Sequence, residues 1–279
     1  MSTASSAKLR RALEDLKARA PSRGHGIPSD RVEFARSVGL EPDRWQERLL
    51  RSDAPRVLMN VARQAGKSTA AAVIGLHRAL YHPGSLVLIL APSERQAKET
   101  FGKVAKFYTE FGHGYVPSES YRKLGMELAN GSRIEALPGS EKTIRGFSGV
   151  DLLILDEASR VPDELYYAAK PMLAVSGGRL MMLSTPYGRR GVFFEEWTSE
   201  AREAWERYEV PARECPRIPP SFLDAERRSM PEWWYAQEYG CEFRETEDQL
   251  FTAEMIEGAR DDALEEYRFE GDEELWNTS

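Results

Sequence analysis

Apolar positions along the chain alternate between short β-branched runs and longer amphipathic stretches. The first run, Val57 to Val61, passes through Ala65-Gly66 into Lys67-Ser68-Thr69 and a small-residue segment, Ala70 to Ile74. That order predicts strand, tight loop, helix. The helix extends to about Tyr81, where His82-Pro83-Gly84 stops it. Ser85 to Leu90 predicts a second buried strand, and Glu94 to Phe111 a long helix with Phe101, Val104, Ala105 and Tyr108 on one face. Met126 to Leu137, broken by Asn130-Gly131, predicts a β-hairpin. The unbroken apolar run Leu152 to Leu155 fits a strand covered on both faces. Beyond it, the pattern predicts a short helix over Asp163 to Ala169, a strand over Arg179 to Leu183, a helix over Gly191 to Trp205 and a last strand over Arg207 to Val210. The stripe Phe193, Phe194, Trp197 on that helix is expected to be core rather than a base-stacking surface.

Strands alternating with helices imply an α/β fold: a mostly parallel sheet, flanked by helices, with right-handed crossovers. Three segments follow: 1–41, 42–210 and 211–279. The first holds an amphipathic helix over residues 1–20, a Pro/Gly break at 21–26 and a helix over Asp30 to Val38 with Ser29 as its cap. The last begins at Pro211, is punctuated by Pro216, Pro219 and Pro220, and carries helices over Ser221 to Ser229 and Trp233 to Phe243. It is expected to be a small helical linker subdomain with an acidic tail.

Composition adds bounds. The 279 residues, 41% hydrophobic and 30% charged, suit a soluble globular protein, and no apolar run is long enough to span a membrane. The N-terminus lacks the apolar core of a secretory signal, and the two cysteines, Cys215 and Cys241, have no metal-ligand spacing, which points to a reducing cytoplasm. The net charge of −7 is misleading: residues 245–279 alone carry −11, which leaves the rest of the chain at +4. The bulk charge therefore argues neither for nor against nucleic acid.

The candidate chemistry sits at strand ends. Arg63-Gln64-Ala65-Gly66-Lys67-Ser68-Thr69 has the order of a phosphate-binding loop, whose amides and helix N-terminus cradle phosphate oxygens. Lys67 would reach the β- and γ-phosphates and the Ser68 hydroxyl would bind Mg²⁺. The strict motif wants glycine where Val61 stands. Taken alone, the stretch also fits an ordinary strand–helix turn with a solvated lysine. Asp156 and Glu157 then close the strand at Leu152, at the edge where open α/β sheets bind ligands. Asp156 would hold Mg²⁺ and Glu157 would polarise the attacking water. Alone, the pair also fits a helix cap with a first-turn acid. Gln46, beside Trp45, is a candidate for an adenine edge, with a surface glutamine as the alternative. Ser184-Thr185-Pro186 puts small hydroxyls at the same edge, and the glycine-rich loop around Arg145 could present a cation to phosphates.

Four stretches together resemble the large terminase subunit of tailed bacteriophages: Trp45-Gln46, Arg63 to Ser68, Leu155-Asp156-Glu157-Ala158 and Ser184-Thr185-Pro186. Gln237 to Phe243 strengthens the likeness, which covers about Pro42 to Thr252. An Arg-Gln pair in a phosphate loop lacking its first glycine is a habit of that family. The resemblance implies a RecA-like fold and an ATP- and Mg²⁺-dependent motor that translocates double-stranded DNA into a procapsid, in the cytoplasm of an infected bacterial host. It implies a homo-oligomeric ring, with a portal protein and a small terminase subunit as partners. It makes Thr185 part of a coupling motif that senses γ-phosphate, and Arg145 an arginine finger with Arg63 as its rival. Full large terminases continue into a metal-dependent nuclease domain. The acids of residues 245–279 form only a linear tail, so nuclease activity is not expected in this chain. A helicase would need a second RecA-like domain, for which the residues after Thr185 are too few. A nucleotide-regulated assembly module that hydrolyses slowly is the remaining alternative.

Overall fold

The computed structural model describes residues 26–111, 116–139, 144, 146–199 and 204–244. The chain up to Arg244 belongs to one compact unit, and residues from Glu245 form a second that lies outside the described residues. The helix expected at residues 1–20, Arg145 and the acidic tail also lie outside them. Among the described residues, two helices precede the sheet, α1 (Arg31–Ser37) and α2 (Arg44–Arg51). The cap of α1 is Asp30 rather than Ser29: its carboxylate accepts from the amides of Val32 at 2.6 Å and Glu33 at 3.1 Å.

The sheet has eight strands: β1 (Arg56–Val61), β2 (Leu86–Ala91), β3 (Ser118–Arg122), β4 (Gly125–Leu128), β5 (Arg133–Pro138), β6 (Leu152–Asp156), β7 (Arg179–Ser184) and β8 (Glu206–Val210). Their spatial order is β3-β4-β5-β2-β6-β7-β1-β8. From β5 to β8 along that row every pairing is parallel, and β4 alone runs the other way, antiparallel to β5 on one side and to β3 on the other. The helices α3 (Lys67–Tyr81), α4 (Glu94–Phe111), α5 (Asp163–Ala169) and α6 (Gly191–Thr198) complete the α/β pattern. Two further helices, α7 (Pro220–Ser229) and α8 (Glu232–Glu238), follow the last strand.

Alternate residues of the central strands feed opposite cores. Val57, Met59, Val87, Ile89, Ile154 and Met181 pack with α1 to α4, while Leu58, Leu88, Leu90, Leu153, Leu155 and Met182 pack with Leu165, Tyr166 and Phe193. Burial on both faces is why these strands read as continuous apolar runs. Phe193 is fully buried, so the aromatic stripe is core at its centre. The helix carrying it is shorter than its periodicity suggests, ending at Thr198. Trp205 instead leads into β8, with its indole Nε1 donating to Glu196 at 2.8 Å. No helix among the described residues is long and apolar enough to cross a membrane.

One core histidine sets a pH dependence. His77 on α3 is buried, stacks on Tyr81 and meets Phe34 edge-on, and its Nε2 donates to the Pro28 carbonyl at 2.9 Å. Burial pushes its pKa down from 6.5 to about 4. Between those values the unfolded chain binds a proton that the folded chain does not, so stability falls as pH drops through that window. The unfolding free energy at pH 5 should therefore be about 2 kcal/mol below that at pH 7 from this group alone. Urea titrations at both pH values should show the difference shrinking by that amount in His77→Gln. An unchanged difference would assign the pH dependence to other groups.

Candidate nucleotide site

The site forms where β1, β7 and β6 end side by side. Pairing places Ser184 opposite Asn60 and Asp156 opposite Leu183, so β7 separates the strand of the phosphate loop from the strand of the two carboxylates. After β1 the backbone turns through two left-handed positions, Gln64 at φ 62° and Gly66 at φ 93°. A Cβ on Gly66 would come within 2.7 Å of the Gln46 amide nitrogen and 3.0 Å of the Arg217 guanidinium. The left-handed φ is what favours glycine there, since both neighbours are ends of flexible side chains that could move aside. Val61 needs no such freedom: it is a buried β1 residue, and its carbonyl accepts from the Thr185 hydroxyl at 3.2 Å.

Lys67 opens α3 and is buried. Its ammonium lies 3.1 Å from a Glu157 carboxylate oxygen and donates to the Thr185 hydroxyl at 3.2 Å. The Ser68 hydroxyl donates to Asp156 at 3.2 Å, and the amide of Glu157 donates to the same oxygen at 3.0 Å. The second Asp156 oxygen accepts from the Thr100 hydroxyl of α4. Burial pushes the Asp156 carboxyl up, and the neighbouring Glu157 charge adds to this against the Thr100 bond and Lys67. A divalent cation would relieve that penalty, and the donors beside it, a hydroxyl and a carboxylate, are hard oxygens suited to Mg²⁺. Glu157 holds a left-handed conformation, φ 54° and ψ 45°, which turns the chain sharply off the end of β6.

These groups border a cavity of about 470 Å³ lined by Gln46, Arg63, Gln64, Gly66, Lys67, Ser68, Thr69, Asp156 and Glu157. Nine of the residues predicted from sequence thus meet there. Ala65 and Thr185 are buried behind the lining. The Ala65 amide donates to the Ala62 carbonyl at 3.3 Å, so it faces its own loop. Gln46 reaches the cavity with its carboxamide already bonded, accepting from the Asp43 amide at 2.9 Å and donating to the Gly66 carbonyl at 3.2 Å. Arg63 pairs with Glu238 of α8 at 3.3 Å, and its amide donates to the Glu238 carbonyl at 3.1 Å. Arg145 lies outside the described residues.

Seven of the lining residues, Leu40, Glu41, Gln96, Glu99, Thr100, Lys103 and Arg217, escaped the sequence analysis, and of these Thr100 and Arg217 bond directly to the residues of the site. Thr100 was legible as a lone hydroxyl on the apolar face of α4, beside Ala97, Phe101 and Val104. Arg217 had no local signal. It comes from the segment after β8, donating to the Ala65 carbonyl at 2.9 Å and pairing with Asp43 at 2.7 Å.

Comparison with known proteins follows the same geography. The family model described as terminase large subunit, T4likevirus-type, N-terminal, matches residues 58–257. The large terminase subunit of Thermus phage G20c is 27% identical over 263 residues, covering 81% of this chain and 53% of that protein. The chain spans about half the length of the curated relatives it matches. Among solved structures, the ATPase domain of the Thermus phage P74-26 large terminase superposes with a TM-score of 0.69 at 25% identity, covering 78% of this chain and 99% of that one. The large terminase of another thermophilic bacteriophage, solved in complex with ADP, shares the fold: its TM-score is 0.62 at 12% identity, over 72% of this chain and 54% of that one.

Proposed function

The chain belongs to the terminase large-subunit family, and on that premise we propose that it is an ATP-hydrolysing motor unit that drives double-stranded viral DNA into a procapsid. The observation that carries the proposal is the meeting of Lys67, Ser68, Asp156, Glu157 and Thr185 at one sheet edge. A triphosphate entering the cavity lies along the phosphate loop at the N-terminus of α3. Ser68 and Asp156 would hold Mg²⁺, which would supply neutralisation of the phosphate charge. Lys67 is shared between Glu157 and Thr185, so a γ-phosphate competes with both for the ammonium. Drawing Lys67 toward phosphate frees the Glu157 carboxylate to orient a water and take its proton. The same movement changes what the Thr185 hydroxyl bonds, which couples phosphate occupancy to β7. Subunits assemble as a ring on a portal protein, with a small terminase subunit, in the cytoplasm of the infected host.

Steady-state ATP turnover with and without linear duplex DNA tests this function directly, and absence of turnover in both would overturn it. Lys67→Ala should lower turnover by about 10²–10³-fold, as for other preorganised donors at a developing charge, and weaken nucleotide binding. Unchanged turnover in that variant would remove the phosphate-loop assignment. Circular dichroism guards against a folding defect, since Lys67 also neutralises Glu157 in the folded protein.

A further inference from the structure

Beyond the nucleotide site, on the same edge of the sheet, lies a hollow of about 450 Å³ whose rim is basic. The turn after Glu157 brings Arg160 over the ring of Tyr187, with its guanidinium carbon 3.9 Å from the ring centroid. Arg190 approaches the same ring at 5.6 Å. Arg189 stands between them in sequence and donates to the Phe243 carbonyl at 3.3 Å. All three arginines are exposed, and none makes an ion pair among the described residues. The hollow's one lining carboxylate, Asp163, is occupied by the Val192 amide at 2.9 Å at the start of α6.

We infer that the Arg160–Tyr187–Arg190 cluster grips the phosphate backbone of duplex DNA. The inference rests on the motor function proposed above. Guanidinium groups laid on an aromatic ring are held in orientation while their N–H edges stay available to phosphate oxygens. Cations without carboxylate partners are what a polyanion neutralises with release of counterions. Phosphate contacts position a duplex without reading its sequence, as a grip that passes any sequence requires.

Its connection to the nucleotide site is short. The hydroxyls of Ser159 and Ser184 lie 2.5 Å apart, and Ser159 donates to the Thr185 carbonyl at 2.8 Å. Ser184 also lies 3.5 Å from a Glu157 oxygen. Arg160 is thus one residue from a hydrogen-bonded bridge to both Glu157 and Thr185, and Tyr187 is two residues from Thr185. A shift of either strand end on loss of γ-phosphate would move the grip directly.

The test is the salt dependence of binding to a short blunt duplex, read by fluorescence anisotropy, with ATP turnover measured on the same 279-residue preparations. Replacing both arginines, Arg160→Ala with Arg190→Ala, should lower the slope of log affinity against log salt by about two, one per lost phosphate contact. Turnover without DNA should be unchanged, and any stimulation by DNA should fall. Arg190→Lys, which keeps the charge, should retain the slope at that position. Should the double variant fail to fold by circular dichroism, Arg190→Gln alone should lower the slope by about one. An unchanged slope in the folded variants overturns the grip. An unchanged slope with lost self-association by light scattering overturns it in favour of a contact between subunits. If the wild type hydrolyses ATP while the variants keep the full slope, the grip fails and the motor stands. If the slope falls as expected but no preparation hydrolyses ATP, the motor fails and the grip stands.

Discussion

Glu157→Gln is expected to bind ATP as the wild type does and to lose turnover by about 10²–10⁴-fold, the range for removal of a general base. Glutamine keeps the length of the side chain and an oxygen that can accept from Lys67, now 3.1 Å away, and from Ser184. It loses the basicity that water activation needs. Binding leans on the loop amides, Lys67 and Ser68, none of which the substitution removes. It even weakens the competition between Glu157 and phosphate for Lys67, so affinity should hold or rise. The backbone at Glu157 is left-handed, a conformation that costs a non-glycine residue about 1–3 kcal/mol and that glutamine meets no worse than glutamate. The strain points the carboxylate back toward Lys67 instead of onward from β6. Phosphate-release assays beside titration with a fluorescent nucleotide separate the two effects. Wild-type turnover in the variant would take Glu157 out of the base role. A parallel loss of binding would make it a structural partner of Lys67.

Much of this site was legible because its residues sit at the ends of strands buried on both faces. The runs before Val61 and Asp156 announced themselves as apolar blocks, and the polar residues that follow such blocks fall at one sheet edge. The missing glycine at Val61 ceased to matter for a physical reason: the left-handed turns are made at Gln64 and Gly66. What the sequence hid depends on contacts made across long separations. Gln46 was left between adenine and solvent; it is buried and bonded to the loop at Gly66, so it is not a surface glutamine, and it lines the cavity. Arg217 reaches Ala65 and Asp43 from far along the chain, and no local pattern could place it. The strand β3, Ser-Glu-Ser-Tyr-Arg, was invisible because an exposed, bulged edge strand has no apolar alternation to read. The overlong α6 shows the opposite failure, where aromatic residues of a helix and of the approach to β8 merged into one apparent period.

Arg145→Ala is expected to keep nucleotide binding and lose ATP turnover by about 10³–10⁵-fold, the range for removal of an arginine finger. The motive is its place in the sequence: a glycine-rich loop that leads straight into the strand bearing Asp156. Its neighbours are anchored, since Ile144 is buried in the core and the Phe147 amide donates to the Ile144 carbonyl at 3.3 Å. Arg63 is the rival within the phosphate loop itself. It lines the cavity and its side chain is 65% exposed, and it is paired with Glu238, so acting as a finger in its own site would require it to leave that carboxylate. Mixing distinguishes the two. In a ring that holds both Arg145→Ala and Glu157→Gln subunits, some sites combine an intact Glu157 with a neighbour's intact Arg145. A finger supplied between subunits therefore predicts partial recovery of turnover on mixing two inactive proteins. A finger supplied by Arg145 within its own subunit predicts none; if Arg63 is the finger instead, Arg63→Ala should show the larger loss. Normal basal turnover in Arg145→Ala would remove it from the chemistry and leave a phosphate contact to DNA, visible as a reduced salt slope, as its remaining role.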